Sequence, residues 1–188
     1  MRLFVALNLS DAVRGKMRSA IDDFPLANPP WRWTSPDTWH ITLKFLGETA
    51  PADLARVTGA LAHCGARHAP FDLVFAPFGG FPNLRAPRVL FYALARGEGP
   101  CAALARDVDQ SLFDAIGLER ETRRFHAHAT LARVKERLPD AVASQLGMVR
   151  PLTDAVSRVD GFVLMQSRLR RTGAEYSVVK EFALSGAG

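Results

Sequence analysis

Apolar residues fall into two rhythms along this chain, one of period two and one of three to four. Residues 2–9 (Arg-Leu-Phe-Val-Ala-Leu-Asn-Leu) predict a strand that starts almost at the first residue. Ser10 suits a helix cap, and Val13, Met17, Ala20, Ile21 and Phe24 then recur at helical spacing. Pro25, Pro29 and Pro30 end that helix. Residues 31–34 predict a short strand, Ser35-Pro36-Asp37 a turn, and residues 39–46 a strand closed by Gly47. Thr49 and Pro51 open a second helix with Leu54, Val57, Leu61 and Cys64 on one face. Residues 71–76 predict a strand, 77–87 a loop rich in Gly and Pro, and 88–95 a strong strand. A third helix carries Leu104, Val108, Leu112 and Ile116 and stops at Gly117. A charged connection over 119–124 leads into a strand over 127–134. Residues 139–146 predict a short helix, and 157–164 a strand running on toward Ser167. A basic turn over 168–173, with Arg168, Arg170 and Arg171, and a last strand over 176–184 complete a hairpin. The final Ser-Gly-Ala-Gly is expected to fray.

Two of these strands carry the same tetrapeptide, His40-Ile41-Thr42-Leu43 and His128-Ala129-Thr130-Leu131. Residues two apart on a strand share a face. His40 therefore shares a face with Thr42 and Lys44, with Ile41, Leu43 and Phe45 turned to the core. His128 and Thr130 likewise stand opposite Ala129 and Leu131. One such tetrapeptide arises readily by chance. Two in matched strands suggest two imidazoles facing one cleft, an acid and base pair around a phosphate, each with a hydroxyl beside it.

The halves around these strands repeat. Phe4-Val5-Ala6-Leu7 leads through a helix to His40, a span of 40 − 4 = 36 residues. Phe91-Tyr92-Ala93-Leu94 leads through a helix to His128, a span of 128 − 91 = 37. The order strand, helix, histidine strand, helix, strand occurs twice. Residues 1–188 are therefore expected to form one domain of two similar lobes, an internal duplication whose pseudo-twofold axis brings the histidines together.

Composition adds three limits. Apolar residues at 48% supply a sizeable core. A net charge of +5, with nearly all cations Arg, favours an anionic partner such as RNA or a nucleotide. No apolar run reaches the ~18 residues of a membrane span. Cys64 and Cys101 are far apart and form no Cys-x-x-Cys, which fits small buried residues in a reducing, cytoplasmic setting.

The chain resembles the two-histidine phosphoesterases, and within them the RNA 2′,3′-cyclic phosphodiesterases, also called 2′-5′ RNA ligases. The resemblance rests on the two His-x-Thr-Leu motifs, the opening Arg-Leu-Phe-Val-Ala-Leu, and Arg32-Trp33 through Glu48. Pro87-Arg88-Val89-Leu90, Phe125 through Arg133, Gln166-Ser167-Arg168-Leu169, Gly173 and Tyr176 extend it over nearly the whole length. One departure stands out: Ala127 replaces the proline usual before the second motif histidine, and His126 lies beside it. The resemblance implies an α+β fold of two pseudo-symmetric lobes, each an antiparallel sheet with helices on its outer face and a cleft between them.

It also implies the reaction. The family opens the 2′,3′-cyclic phosphate at RNA ends to a 2′-phosphate, with His40 as proton donor and His128 as acceptor. Histidine suits both roles because its ordinary pKa is ~6.5. Thr42 and Thr130 are expected to hold the non-bridging oxygens. Arg133 is expected to offset phosphate charge, although strict alternation turns it away from His128. Lys44 is expected at the rim, and Trp33, Trp39 and Phe125 are candidates to stack on a base. No cofactor and no metal are expected, since His63 and His68 lack neighbouring ligands in the sequence, and no membrane or obligate protein partner is expected of a monomer. Two alternatives remain: a phosphodiesterase of a small cyclic nucleotide such as ADP-ribose cyclic phosphate, and a non-catalytic RNA-binding module.

Overall fold

A computed structural model describes residues 1–24, 29–170 and 173–187, the side chain of Arg170 excepted. Pro25, Arg171 and Gly188 lie outside the described residues. The strands are β1 (Arg2–Asn8), β2 (Arg32–Trp33), β3 (His40–Glu48), β4 (Phe71–Phe81), β5 (Val89–Arg96), β6 (His128–Arg133), β7 (Ala155–Val159), β8 (Gly161–Arg170) and β9 (Gly173–Ala183). The helices are α1 (Asp11–Asp22), α2 (Leu54–Gly65), α3 (Glu98–Ile116) and α4 (Asp140–Leu146).

The sheet is antiparallel, in the order β7-β4-β5-β6-β3-β1-β8-β9, with β2 added to β6. It forms two four-stranded halves. Between β6 and β3 the ladder narrows to one pair, Ile41 with Ala129. The two histidine strands therefore flank the seam. Their neighbours match as well: β1 beside β3 carries Phe4-Val5-Ala6-Leu7, and β5 beside β6 carries Phe91-Tyr92-Ala93-Leu94.

Local chemistry explains the elements. The Ser10 hydroxyl accepts from the Val13 N–H, and Val13, Met17, Ala20 and Ile21 bury one stripe of α1. The main core lies between the sheet and the helices and takes Leu3, Val5 and Leu7 from β1 and Ile41 and Leu43 from β3. The opposite face of the same strands holds a small apolar floor of Phe4, Ala6, Val163 and Met165. That face carries the histidines.

Three expectations need correction. The run after residue 155 is two strands, β7 in one half and β8 in the other, separated at Asp160. A continuous apolar run hides such a crossing. Residues 77–81, expected in a loop, continue β4, and Phe78, Gly79, Gly80 and Phe81 pair with Tyr92, Phe91, Leu90 and Val89. Pro77 is tolerated because the register shifts between Phe75 and Phe78, so it stands at an irregularity. The chain end is tied rather than frayed: Ser185 N–H donates to Gly65 O at 3.2 Å and Gly186 N–H to His68 O at 2.9 Å.

Candidate active site

Each motif histidine is anchored in the same way. The His40 Nδ1–H donates to the carbonyl of Thr38 at 2.7 Å. The His128 Nδ1–H donates to the carbonyl of His126 at 2.7 Å. A carbonyl only accepts, so the proton of the neutral ring sits on Nδ1 and Nε2 is left as the base. In His40 that Nε2 accepts from the Thr42 hydroxyl at 3.1 Å.

The rings are also clamped alike. His40 lies against Phe4 (centroids 5.0 Å) and the edge of Tyr176 (5.4 Å). His128 lies against Phe91 (5.2 Å) and Phe81 (5.1 Å). Phe4 and Phe91 are the first residues of the repeated Phe-x-Ala-Leu segments. Sequence reasoning noticed that repeat but gave the phenylalanines no role; their matched spacing to the histidines was the available signal. Gly79 makes room for Phe91, since a Cβ there would come within 2.8 Å of the ring.

A β-bulge reshapes each motif strand. Val5 pairs with Lys44 and Ala6 with Thr42, which leaves Leu43 as an extra residue in β3. Leu90 pairs with Ala132 and Phe91 with Thr130, which leaves Leu131 extra in β6. The Leu131 carbonyl is taken up by Thr34, whose N–H and hydroxyl both donate to it at 2.8 Å. Each bulge inverts the alternation downstream. Arg133 is thereby returned to the histidine face, against the strict parity of the sequence.

Lys44 is turned the other way, and its expected place at the cleft rim is wrong. Its ammonium meets Asp109 at 2.6 Å on the helix side, with both side chains 10% exposed. Phe45, expected in the core, takes the histidine face instead and is 62% exposed. Trp33 also stands apart from the histidines, packed edge-on against Trp31 (5.5 Å), Phe24 and Phe78. Trp39 is buried, and its indole N–H donates to the Thr34 hydroxyl at 2.9 Å. Phe125 lines a different pocket with Leu43 and Lys44.

The histidine pocket has a volume of about 470 Å³. It brings together His40, Thr42, Thr130 and Arg133, with Arg2 and Tyr176 among its other walls. His128 adjoins it across the seam, where its charge acts on His40. Burial pushes the pKa of both imidazoles below the ordinary value. The Thr38 carbonyl opposes that effect at His40, and His128 adds to it. At His128 the His126 carbonyl opposes burial, while the charges of His126 and Arg133 reinforce it. A protonated ring is thus costly at this depth of burial, and a neighbouring anion would offset that cost.

Among the described residues one group has metal-ligand geometry, Cys64, His68 and Asp107, whose donor atoms lie within 4.8 Å of one another. It lies on the helix side. His68, expected to lack a partner, donates to Asp107 at 2.9 Å, and Arg67 holds the same carboxylate at 2.7 and 3.1 Å. Burial first, then Asp107, pushes the Cys64 thiol up to about 12. A protonated thiol and a saturated carboxylate make a hydrogen-bond hub joining α2 to α3.

Comparison with known proteins decides the lineage. The family model described as the 2′-5′ RNA ligase superfamily matches residues 18–171. The chain belongs to this superfamily. Among curated members, an RNA 2′,3′-cyclic phosphodiesterase of Thermus thermophilus is 34% identical over 99% of this chain and 91% of its own length. A superfamily member of the same name from Archaeoglobus fulgidus is 32% identical over 97% of this chain and 99% of its own. A crystal structure of a Thermus thermophilus protein superposes with a TM-score of 0.81 at 29% identity and covers both chains fully. The α+β architecture is therefore that of the superfamily.

Proposed function

We propose that this chain hydrolyses the 2′,3′-cyclic phosphate at RNA 3′ ends to a 2′-phosphate. The observation that carries the reading is the matched anchoring of two imidazoles, each with Nδ1 on a carbonyl and Nε2 left as the base, in His40 with the Thr42 hydroxyl upon it. Relatives named RNA 2′,3′-cyclic phosphodiesterase support it.

In this reading water attacks phosphorus from the His128 side, and His128 Nε2 takes its proton. The bond from phosphorus to O3′ breaks, and protonated His40 gives its Nε2 proton to O3′. One proton is taken and one given, and solvent resets the pair. The assignment of donor and acceptor follows the superfamily. Thr42 and Thr130 donate to the non-bridging oxygens, which frees His40 Nε2 from Thr42, and Arg133 offsets the charge that builds on them. The imidazoles supply both proton transfers, so turnover is expected to persist in EDTA. A 5′-hydroxyl replacing water would give 2′-5′ ligation by the same steps.

The reading includes a monomeric enzyme built as one duplicated unit, with no resident cofactor, acting in the cytoplasm. Two buried, unpaired cysteines support a reducing setting, and no helix among the described residues is long and apolar enough to cross a membrane. The test is turnover of an RNA oligonucleotide ending in 2′,3′-cyclic phosphate, with EDTA present. A 2′-phosphate product is expected. A 3′-phosphate product, or no turnover beside rapid opening of ADP-ribose cyclic phosphate, would overturn the RNA reading.

A further inference from the structure

On the helix side of β3, behind the histidine strand, a second pocket of about 500 Å³ opens between α3 and the connection that leads to β6. Its walls carry five cations, Lys44, Arg106, Arg120, Arg123 and Arg124, against three anions, Glu98, Asp109 and Glu121, a balance of 5 − 3 = +2. Most of these charges are already committed. Lys44 and Arg120 hold Asp109 at 2.6 and 2.8 Å, and Arg123 holds Glu121 at 3.2 Å. Arg106 and Arg124 line the pocket with no ion-pair or hydrogen-bond partner among the described residues. The remaining wall is apolar: Leu43, Ala102, Ala105 and Phe125.

We propose that this pocket binds a nucleoside phosphate, with its phosphate on Arg106 and Arg124 and its base against Phe125 and Leu43. Two unpaired guanidiniums match the charge and the fork geometry of a phosphate. An aromatic ring beside them suits a base face. The volume lies within the range of small-ligand pockets. The buried Lys44–Asp109 pair fixes the floor: Asp109 also accepts the Glu121 N–H at 3.2 Å, and Lys44 also donates to Glu119 O at 2.7 Å. The connection is therefore pinned at Glu119, Arg120 and Glu121, and Phe125 further along it is half-buried against the core. The pocket shares no lining residue with the histidine pocket. The nucleoside phosphate is either a free nucleotide or a residue of an RNA chain whose end occupies the histidine pocket. Binding as such does not depend on the proposed hydrolysis.

The test starts from the His40→Ala/His128→Ala protein, titrated with AMP and followed by amide NMR. Shifts in residues 120–125 are expected, and AMP affinity there should fall about tenfold or more when Arg106→Ala and Arg124→Ala are added. In the otherwise wild-type protein, the same two arginine changes are compared on two substrates. If the natural ligand is part of an RNA chain, KM for a cyclic-phosphate oligonucleotide rises while kcat/KM for adenosine 2′,3′-cyclic phosphate stays the same. If it is a free nucleotide, neither changes and only AMP binding is lost. Amide shifts confined to the histidine face, or AMP affinity and oligonucleotide KM both unaltered in variants with unchanged melting temperature, would overturn the proposal. Failure of the hydrolytic reading would show separately, as absence of wild-type turnover.

Discussion

Leu43 in β3 and Leu131 in β6 hold equivalent places: each is the extra residue of a β-bulge, three positions after a motif histidine. Because of the two bulges, Phe45 stands to His40 as Arg133 stands to His128, five residues on and back on the same face. The residues between, Lys44 and Ala132, are sent to the other side. The two copies of the motif therefore deliver an aromatic ring and a cation to the same pocket.

This geometry separates two cations that strict alternation would place the other way round. Arg133→Ala should lower kcat/KM about tenfold or more with little loss of stability. Lys44→Ala should destabilise instead, because it leaves Asp109 buried without its nearest cation. Arg120 and the Glu121 N–H still hold that carboxylate, so the loss should sit near or below ~3 kcal/mol, the low end for breaking a buried pair. Chemical denaturation and turnover on a small cyclic nucleotide distinguish the two. Intact stability with lost turnover in Lys44→Ala would contradict the assignment.

The depressed imidazoles set the pH dependence. In the proposed reaction the free enzyme needs one ring neutral and the other protonated, and burial holds both pKa values below ~6.5. The bell of kcat/KM against pH should therefore peak on the acid side of ~6.5, with its alkaline limb below that of a free imidazole. Stability follows from the same shifts. The unfolded chain takes these protons near pH ~6.5 and the folded chain only lower, so between those values the unfolded state binds more protons. Stability is complete above ~6.5 and falls as pH drops through that window. Replacing both histidines with Asn should flatten that part of the stability curve, as urea melts at several pH values would show.

The aromatic clamp gives a prediction far from the motif. Gly79→Ala places a Cβ 2.8 Å from the Phe91 ring, which is stacked on Phe81 at 4.3 Å and has little room to give. Overpacking of this kind costs about 1–3 kcal/mol. Because Phe91 packs on His128, kcat should fall as well, whereas an Ala at the open, mid-helical Gly59 should leave kcat unchanged and raise stability by up to ~1 kcal/mol. Paired melting and turnover measurements on the two variants decide the matter.

The contrast between Lys44 and the histidines shows what was legible. His40, Thr42, His128 and Thr130 stand on one face as expected, because alternation holds over the four residues of each motif. The helices were readable from their apolar stripes and from Ser10. Alternation fails one residue later, since a bulge depends on partners remote in sequence. Thr34 takes the spare carbonyl of Leu131, a contact between residues 97 apart. The same limit hid the crossing at Asp160, the pairing of residues 78–81 with β5, and the partnership of His68 with Asp107. Stacking roles for Trp33, Trp39 and Phe125 rested on residue type alone, and packing took the two tryptophans elsewhere.

In the proposed reaction His40 and His128 act as one acid–base unit. The most direct test measures kcat on cyclic-phosphate RNA for His40→Ala, His128→Ala and the double variant. Each single change should cost about 10²–10⁴-fold, and the double little more than the worse single, since neither proton transfer helps without the other. Losses that multiply in the double variant, or a single variant that keeps wild-type turnover, would contradict the account.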